Sequence, residues 1–247
     1  MKMQEVQVPV VKENQVLIRV FATSVNFADI MSRQGFYHAA GKPPLIPGLD
    51  VAGTIEQVGD KVTKLKVGQR VMAFPKNGGY AEFVVTDENL TFVLPENIDL
   101  ISAAASPLVA FTSYKLLADV GRLQPGESVL IHAASGGIGT TAIQLAKLLG
   151  AGLVIGTVGN ERKQSVVLEA GADVVICNDK QDFVSEVNRL TNNKGVDLIL
   201  DSIAGSVTKR SLECLAMYGR LLWNCQRSSR TDRNKRLTCK LSCSSWF

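Results

Sequence analysis

Residues 128–150 read SVLIHAASGGIGTTAIQLAKLLG, and this stretch decides the fold. Val129-Leu130-Ile131 is a short apolar run suited to a strand buried on both faces. Small residues continue to Gly139. Ile138, Ala142, Leu145, Ala146 and Leu149 then recur at helical spacing, until Gly150 closes the pattern as a C-cap. Strand, glycine turn and helix in this order form a dinucleotide-binding fingerprint. A pyrophosphate settles on a helix N-terminus where backbone N–H groups are unobstructed and the helix dipole points at it. Gly136 lets the backbone approach the phosphates, and Gly139 lets the helix pack on the strand. Ala134 stands where the first glycine is usual, so the pattern here is A-x-G-G-x-G. Ala134, Ser135, Gly136, Gly137, Ile138 and Gly139 are the expected cradle.

Around this centre the chain divides. Residues 1–100 read as strands and turns: 15–22 alternates as a half-buried strand, and 50–58, 70–74 and 80–85 are further strands punctuated by glycines. The character changes at Ser102, a candidate cap for a helix running through Ala103 towards Leu117, with Pro107 near its first turn. Beyond Pro125, strands at 129–132, 153–158, 173–177, 196–200 and 220–222 alternate with helical patterns at 139–149, 161–169, 182–191 and 207–216. Such alternation calls for a parallel sheet with right-handed crossovers. The expected class is α/β: a doubly wound Rossmann sheet at 112–222, a β-rich barrel-like domain at 1–111, and a basic tail at 223–247 expected to be disordered.

The 247 residues are 46% hydrophobic and 20% charged, which describes a globular chain with ample core. No signal segment and no apolar run of membrane-spanning length is seen, so a cytoplasmic location is expected. The net charge of +4 misleads, because six basic residues and one acidic residue lie in 223–247. Residues 1–222 carry 21 basic and 22 acidic side chains, which leaves no electrostatic case for nucleic acid. Cys177 and Cys214 are the only body cysteines, Cys225, Cys239 and Cys243 sit in the tail, and no C-x-x-C pair occurs. Five free thiols fit a reducing compartment. His132, at the end of the first Rossmann strand, reads as a half-buried structural histidine, and His38 as a solvated one.

Cofactor preference is read from the end of the second Rossmann strand. An acid there would bind a ribose 2′-hydroxyl, but Val158 occupies the position. Asn160, Arg162 and Lys163 follow, and the two cations can pair with a 2′-phosphate, with Glu161 offsetting them. NADPH is therefore expected over NADH.

Four separated motifs, Val25-Asn26-Phe27-Ala28-Asp29, residues 47–53 (PGLDVAG), residues 79–83 (GYAEF) and AASGGIG, agree in order. Together they resemble the medium-chain dehydrogenase/reductase superfamily, most closely its zinc-free quinone oxidoreductase branch, which includes zeta-crystallin. The resemblance covers about residues 4–222. It implies a GroES-like catalytic domain beside the Rossmann domain, with the active site in the cleft between them. Zinc-dependent members have a cysteine where this chain has Asn26, and Gly-His-Glu at Gly48-Leu49-Asp50. Leucine offers no lone pair and Asp50 alone cannot make a three-ligand site, so no metal is expected.

What remains is hydride transfer from NADPH to a quinone or α,β-unsaturated carbonyl, with protein donors for the resulting anion. Asn26 is the candidate donor to the substrate oxygen, followed by Tyr37 and Tyr80. The resemblance places Thr112 beside the nicotinamide and adds Asp201 to the dinucleotide set. An enoyl-thioester reductase and a non-catalytic NADPH-binding scaffold are the alternatives, and relatives commonly form homodimers.

Two departures accompany the resemblance. About 20 residues of the family's first domain have no counterpart, and the match stops at Leu222. The tail, rich in Ser and Arg and without amphipathic period, reads as a frameshift, an alternative exon or an annotation error, with a basic binding arm as the minor alternative. Weak pyrophosphate binding, reduced stability and impaired activity are expected of such a chain.

Overall fold

The computed structural model describes residues 2–37 and 44–223, so His38 and tail residues 224–247 lie outside the described residues. The chain forms two compact units, Met1–Leu108 and Val109–Phe247.

In the first unit the elements are β1 (Gln15–Thr23), α1 (Phe27–Arg33), β2 (Val51–Val58), β3 (Arg70–Ala73), β4 (Phe83–Asp87), β5 (Thr91–Val93) and α2 (Leu100–Ala104). The strands form one antiparallel sheet in the order β4-β1-β2-β3-β5. Its core is aliphatic, with Val16, Ile18, Val51, Ile55, Val71 and Val84 buried together. The strand expected at 80–85 begins only at Phe83, leaving Tyr80 in a loop. α1 falls where only strands and turns were expected. Its pattern is inverted: Asp29 and Ser32 are buried, while Phe27 and Ile30 are exposed.

A single helix from Ser102 to Leu117 does not form. Asp99, not Ser102, caps α2, its side chain accepting from the backbone N–H groups of Ile101 and Ser102 at 2.9 Å each. α3 (Pro107–Tyr114) starts afresh with proline in its first turn, where the missing N–H costs nothing. One π-helical stretch, Lys115–Val120, follows. The domain boundary expected at 111/112 and the observed division at 108/109 both fall within α3.

The second unit continues with β6 (Ser128–Ile131), α4 (Gly137–Leu148), β7 (Leu153–Val158), α5 (Gln164–Glu169), β8 (Val174–Cys177), α6 (Phe183–Leu190), β9 (Val196–Asp201), α7 (Ser206–Ser211) and β10 (Leu215–Trp223). These five strands are parallel, ordered β10-β9-β6-β7-β8. The order reverses at β6, as in doubly wound sheets, and ligands in such folds bind at the carboxyl ends of the strands beside that reversal. Alternation along β6 builds a core on each face. Val129 and Ile131 pack with Ile143 and Ala146 of α4, whereas Leu130 packs with Ile155, Ile199 and Phe183.

His132 is fully buried rather than half-buried, at 2% exposure. Its Nδ1 lies 3.0 Å from Thr157 Oγ1 and its Nε2 2.9 Å from Ser211 Oγ, with the Phe183 ring edge-on at 4.9 Å. Burial pushes the imidazole down to about 4, against the opposing pull of Asp201, so the ring is neutral and structural. Among the described residues, no helix is long and apolar enough to cross a membrane.

Candidate active site

The glycine turn follows β6 directly. Ala133 takes φ 50°, and α4 begins with Gly136 as an N-cap that has no side chain to occupy the first helical amides. Gly139 has a steric reason: a Cβ there would sit 2.5 Å from the Ala134 carbonyl oxygen, so the helix can start this close to the strand only without one. Ala134 is wholly buried, its N–H donating to the Thr157 carbonyl at 2.9 Å, and it ties the turn to β7 rather than facing a ligand.

A cavity of about 470 Å³ opens at the ends of β6, β7 and β8. Of the expected cradle, Ser135 and Gly136 line it, together with Arg162 and Lys163. Thr157, Gly159, Asn178 and Ile203 also line it and were not singled out from sequence; the ends of β7 and β8 and the loop after β9 bring them there. Gly137, Ile138 and Gly139 form the first turn of α4. Asn160 precedes the short 3-10 turn that carries Arg162 and Lys163, its carbonyl accepting from the Lys163 N–H at 3.2 Å. Asp201 is buried and engaged elsewhere: it accepts from the N–H groups of Ile203 (2.8 Å) and Ala204 (3.0 Å) and bonds Thr208 Oγ1, so it shapes the loop that brings Ile203 to the cavity.

Electrostatics favour an anion. Glu161, expected to offset the two cations, forms its ion pair with Lys180 at 2.7 Å. The residues fit a phosphorylated dinucleotide: an uncapped helix start, a turn in which a side chain at Gly139 is impossible, and two cations where an acid would exclude a 2′-phosphate.

In the first unit a second polar centre gathers around residues 47–50. Gly48 at φ 107° meets the chain at Gly79, where a Cβ on residue 48 would lie 2.5 Å from Gly79 Cα. The Gly48 N–H donates to Asp29 Oδ1 at 3.0 Å, and the Asn26 N–H to Asp29 Oδ2 at 2.9 Å. Asp50 is completely buried. Its Oδ1 accepts from Ser24 Oγ at 2.6 Å and from Asn26 Nδ2 at 2.9 Å, and its Oδ2 from the Leu108 N–H at 3.4 Å. Asn26 Nδ2 also donates to Ser24 Oγ at 3.1 Å. Burial pushes the Asp50 carboxyl above the ordinary range, and the charge of Asp29 adds to this, although the bonds from Ser24, Leu108 and Asn26 oppose it.

Asn26, the donor expected from the sequence, here directs its amide at Ser24 and Asp50. Both of its amide hydrogens turn inward, because a carboxylate only accepts and fixes Nδ2 towards itself. Ser24 and Asp50 thereby enter the site; the sequence offered Asp50 only as a metal ligand and Ser24 not at all. Tyr37 is buried. Tyr80 Oη is buried and meets no partner at full hydrogen-bond geometry among the described residues, and Asp29 is the nearby charge that acts on it. Burial and that charge raise the phenol well above its usual range, so it stays protonated. Thr112 is half-buried on α3, in the second unit.

Zinc does not fit. Among the described residues no three His, Cys, Asp or Glu side chains converge, and the oxygens of Asp50 are already occupied by donors.

The Alcohol dehydrogenase GroES-like domain model matches residues 12–96, and the Zinc-binding dehydrogenase model matches 137–223. Synaptic vesicle membrane protein VAT-1 homolog of Danio rerio is 38% identical over 214 residues, which is 87% of this chain and 44% of that protein. Quinone oxidoreductase of Sus scrofa is 37% identical over 224 residues, or 90% of this chain and 68% of the relative. The chain thus spans roughly half to two thirds of the curated relatives it matches. Among solved structures, Escherichia coli quinone oxidoreductase complexed with NADPH superposes with a TM-score of 0.82 at 35% identity, covering 88% of this chain and 67% of that one. CurK enoyl reductase gives 0.83 at 30% identity, covering 89% and 68%. With two family models matched in order and a quinone oxidoreductase aligned over two thirds of its length, this chain belongs to the medium-chain dehydrogenase/reductase superfamily, alongside the quinone oxidoreductases.

Proposed function

We propose that this chain is an NADPH-dependent oxidoreductase that reduces a quinone or an α,β-unsaturated carbonyl without a metal. The observation that carries the reading is the cavity at the ends of β6, β7 and β8, where the glycine turn and the unneutralised Arg162 and Lys163 lie together. The dinucleotide, when bound, supplies the hydride. The first amides of α4, with Ser135 and Gly136, hold the pyrophosphate, and Arg162 and Lys163 take the 2′-phosphate, with Asn160 shaping their turn. Asp201 acts through the loop it orders. In the first unit Asn26 holds Ser24 and Asp50 in register, and Tyr37 and Tyr80 are the substrate-side hydroxyls; in the second, Thr112 is assigned to the nicotinamide. The E. coli quinone oxidoreductase complexed with NADPH, at 35% identity, supports both the cofactor and the substrate class.

A second reading, reduction of an enoyl thioester, is favoured by the likeness to CurK enoyl reductase. A cytoplasmic location and a homodimer are part of the proposal. The test is titration of the full chain with NADPH and NADH, followed by quinone, enone and crotonyl-CoA assays. NADPH-selective binding with quinone turnover upholds the reading; turnover with crotonyl-CoA alone selects the second; binding without turnover on any of them leaves a scaffold.

A further inference from the structure

Of the polar side chains in the first unit, Ser24 occupies an unusual position. It is half-buried, while Asp50, to which it donates at 2.6 Å, is fully buried, and Asn26 bridges the two with its two amide hydrogens. Asn26 cannot give a hydrogen to a ligand without breaking this bridge. The hydrogen that can change hands is the one between Ser24 and Asp50.

The lone pairs decide what happens when Asp50 is protonated. A proton on Asp50 Oδ1 must be donated, and its bonded neighbours on that side are Ser24 Oγ, which can accept, and Asn26 Nδ2, which cannot. The Ser24–Asp50 bond then reverses. Ser24 Oγ accepts from both Asp50 and Asn26, and its own O–H is freed for a ligand. Return of the proton restores the arrangement seen here. The Asn26 amide donates to both oxygens in either state, so it holds the pair in register throughout.

We propose that Ser24 and Asp50 form a proton-delivery pair, Ser24 being the catalytic residue that protonates the reduced substrate oxygen and Asp50 the group that holds the proton. The inference rests on the oxidoreductase reading. Hydride from the reduced nicotinamide leaves a quinone as its hydroquinone monoanion, and an enone as its enolate. That oxygen takes the hydrogen from Ser24 Oγ as Ser24 takes the one on Asp50 Oδ1. One O–H bond forms on the product and one breaks on Asp50, and Ser24 ends unchanged; after the product leaves, a solvent hydronium ion gives a proton to Ser24 Oγ as Ser24 passes its own hydrogen back to Asp50 Oδ1. The charged and titratable groups acting on Asp50 are Asp29 of α1 and Tyr80, and a neutral Tyr80 leaves Asp29 as the charge that favours the protonated form.

The test uses the full chain and Ser24→Ala, with Ser24→Thr to restore the hydroxyl. Two readouts are taken: the carbon-13 resonance of the Asp50 carboxyl against pH, and NADPH-dependent reduction of a benzoquinone in light and heavy water. The expected result is an Asp50 midpoint above the ordinary carboxylate range that rises further in Ser24→Ala and returns in Ser24→Thr. Alongside it, kcat falls about a hundredfold in Ser24→Ala with KM little changed, the low end of what general acids contribute. An Asp50 midpoint indifferent to Ser24, or wild-type turnover and solvent isotope effect in Ser24→Ala, overturns the proposal. If the unsubstituted chain turns over no quinone or enone, the oxidoreductase reading fails by itself. The delivery role then falls with it, whatever the titration shows.

Discussion

The carboxylate of Glu161 lies 2.7 Å from Lys180 Nζ, so it is paired across the loop instead of neutralising its sequence neighbours Arg162 and Lys163. The pair is exposed and contributes little to stability. Its consequence is electrostatic: the cavity mouth keeps both cations.

Removing those cations is expected to lower NADPH affinity selectively. Arg162→Ala combined with Lys163→Ala should weaken NADPH binding roughly tenfold to a hundredfold, the worth of one charge-assisted bond, and leave NADH binding almost unchanged. Nicotinamide fluorescence titrations check this, and equal losses for both dinucleotides would refute the 2′-phosphate assignment.

His132 makes the second unit sensitive to mild acid. Its folded pKa of about 4 lies below its ordinary 6.5, so the unfolded chain binds the proton first as pH falls. Its stabilisation is complete above about pH 6.5 and is lost progressively towards pH 4, a total of roughly 3 kcal/mol. Urea unfolding between pH 7 and 4 should therefore show a steeper loss in the wild type than in His132→Gln; identical slopes would contradict it.

Two glycines are predicted to resist substitution for different reasons. Gly139→Ala drives a Cβ to 2.5 Å from the Ala134 carbonyl oxygen, so α4 must lift from β6 and dinucleotide binding should be lost. Gly48→Ala combines φ 107° with a 2.5 Å clash against Gly79, and should lower the melting temperature of the first unit by several degrees. Dinucleotide titration and circular-dichroism melts of each variant distinguish the two effects.

Asp99→Ala removes the cap of α2 and should lower the unfolding midpoint measurably, whereas Ser102→Ala should leave it nearly unchanged. Chemical denaturation of both variants measures the difference directly.

What could be read from the sequence alone was set by local chemistry. The buried run at 129–131, the glycines after it and the helical spacing beyond specify strand, turn and helix without reference to the rest of the chain, and the α/β class follows from repetition of that unit. The strands at 15–22 and 153–158 were legible because the apolar pattern along a segment is local. α1 was not, because its buried face is Asp29 and Ser32, held by bonds to the Asn26 and Gly48 amides rather than by apolar contact. The capping of α2 was misplaced because Asp99 and Ser102 are both good caps, and the start of the helix decides between them.

The site needed the tertiary structure throughout. Asn26 is a sequence motif, but its amide is committed by Asp50, 24 residues away, whose burial leaves the carboxylate no water to turn to. The neutral state of His132 depends on its burial, with a ring partner in Ser211, 79 positions distant, and the charge at the cavity depends on the pairing of Glu161 with Lys180. Composition and periodicity specify which elements form. The competition of buried donors and acceptors for partners, settled only when the elements pack, decides which groups are left to act.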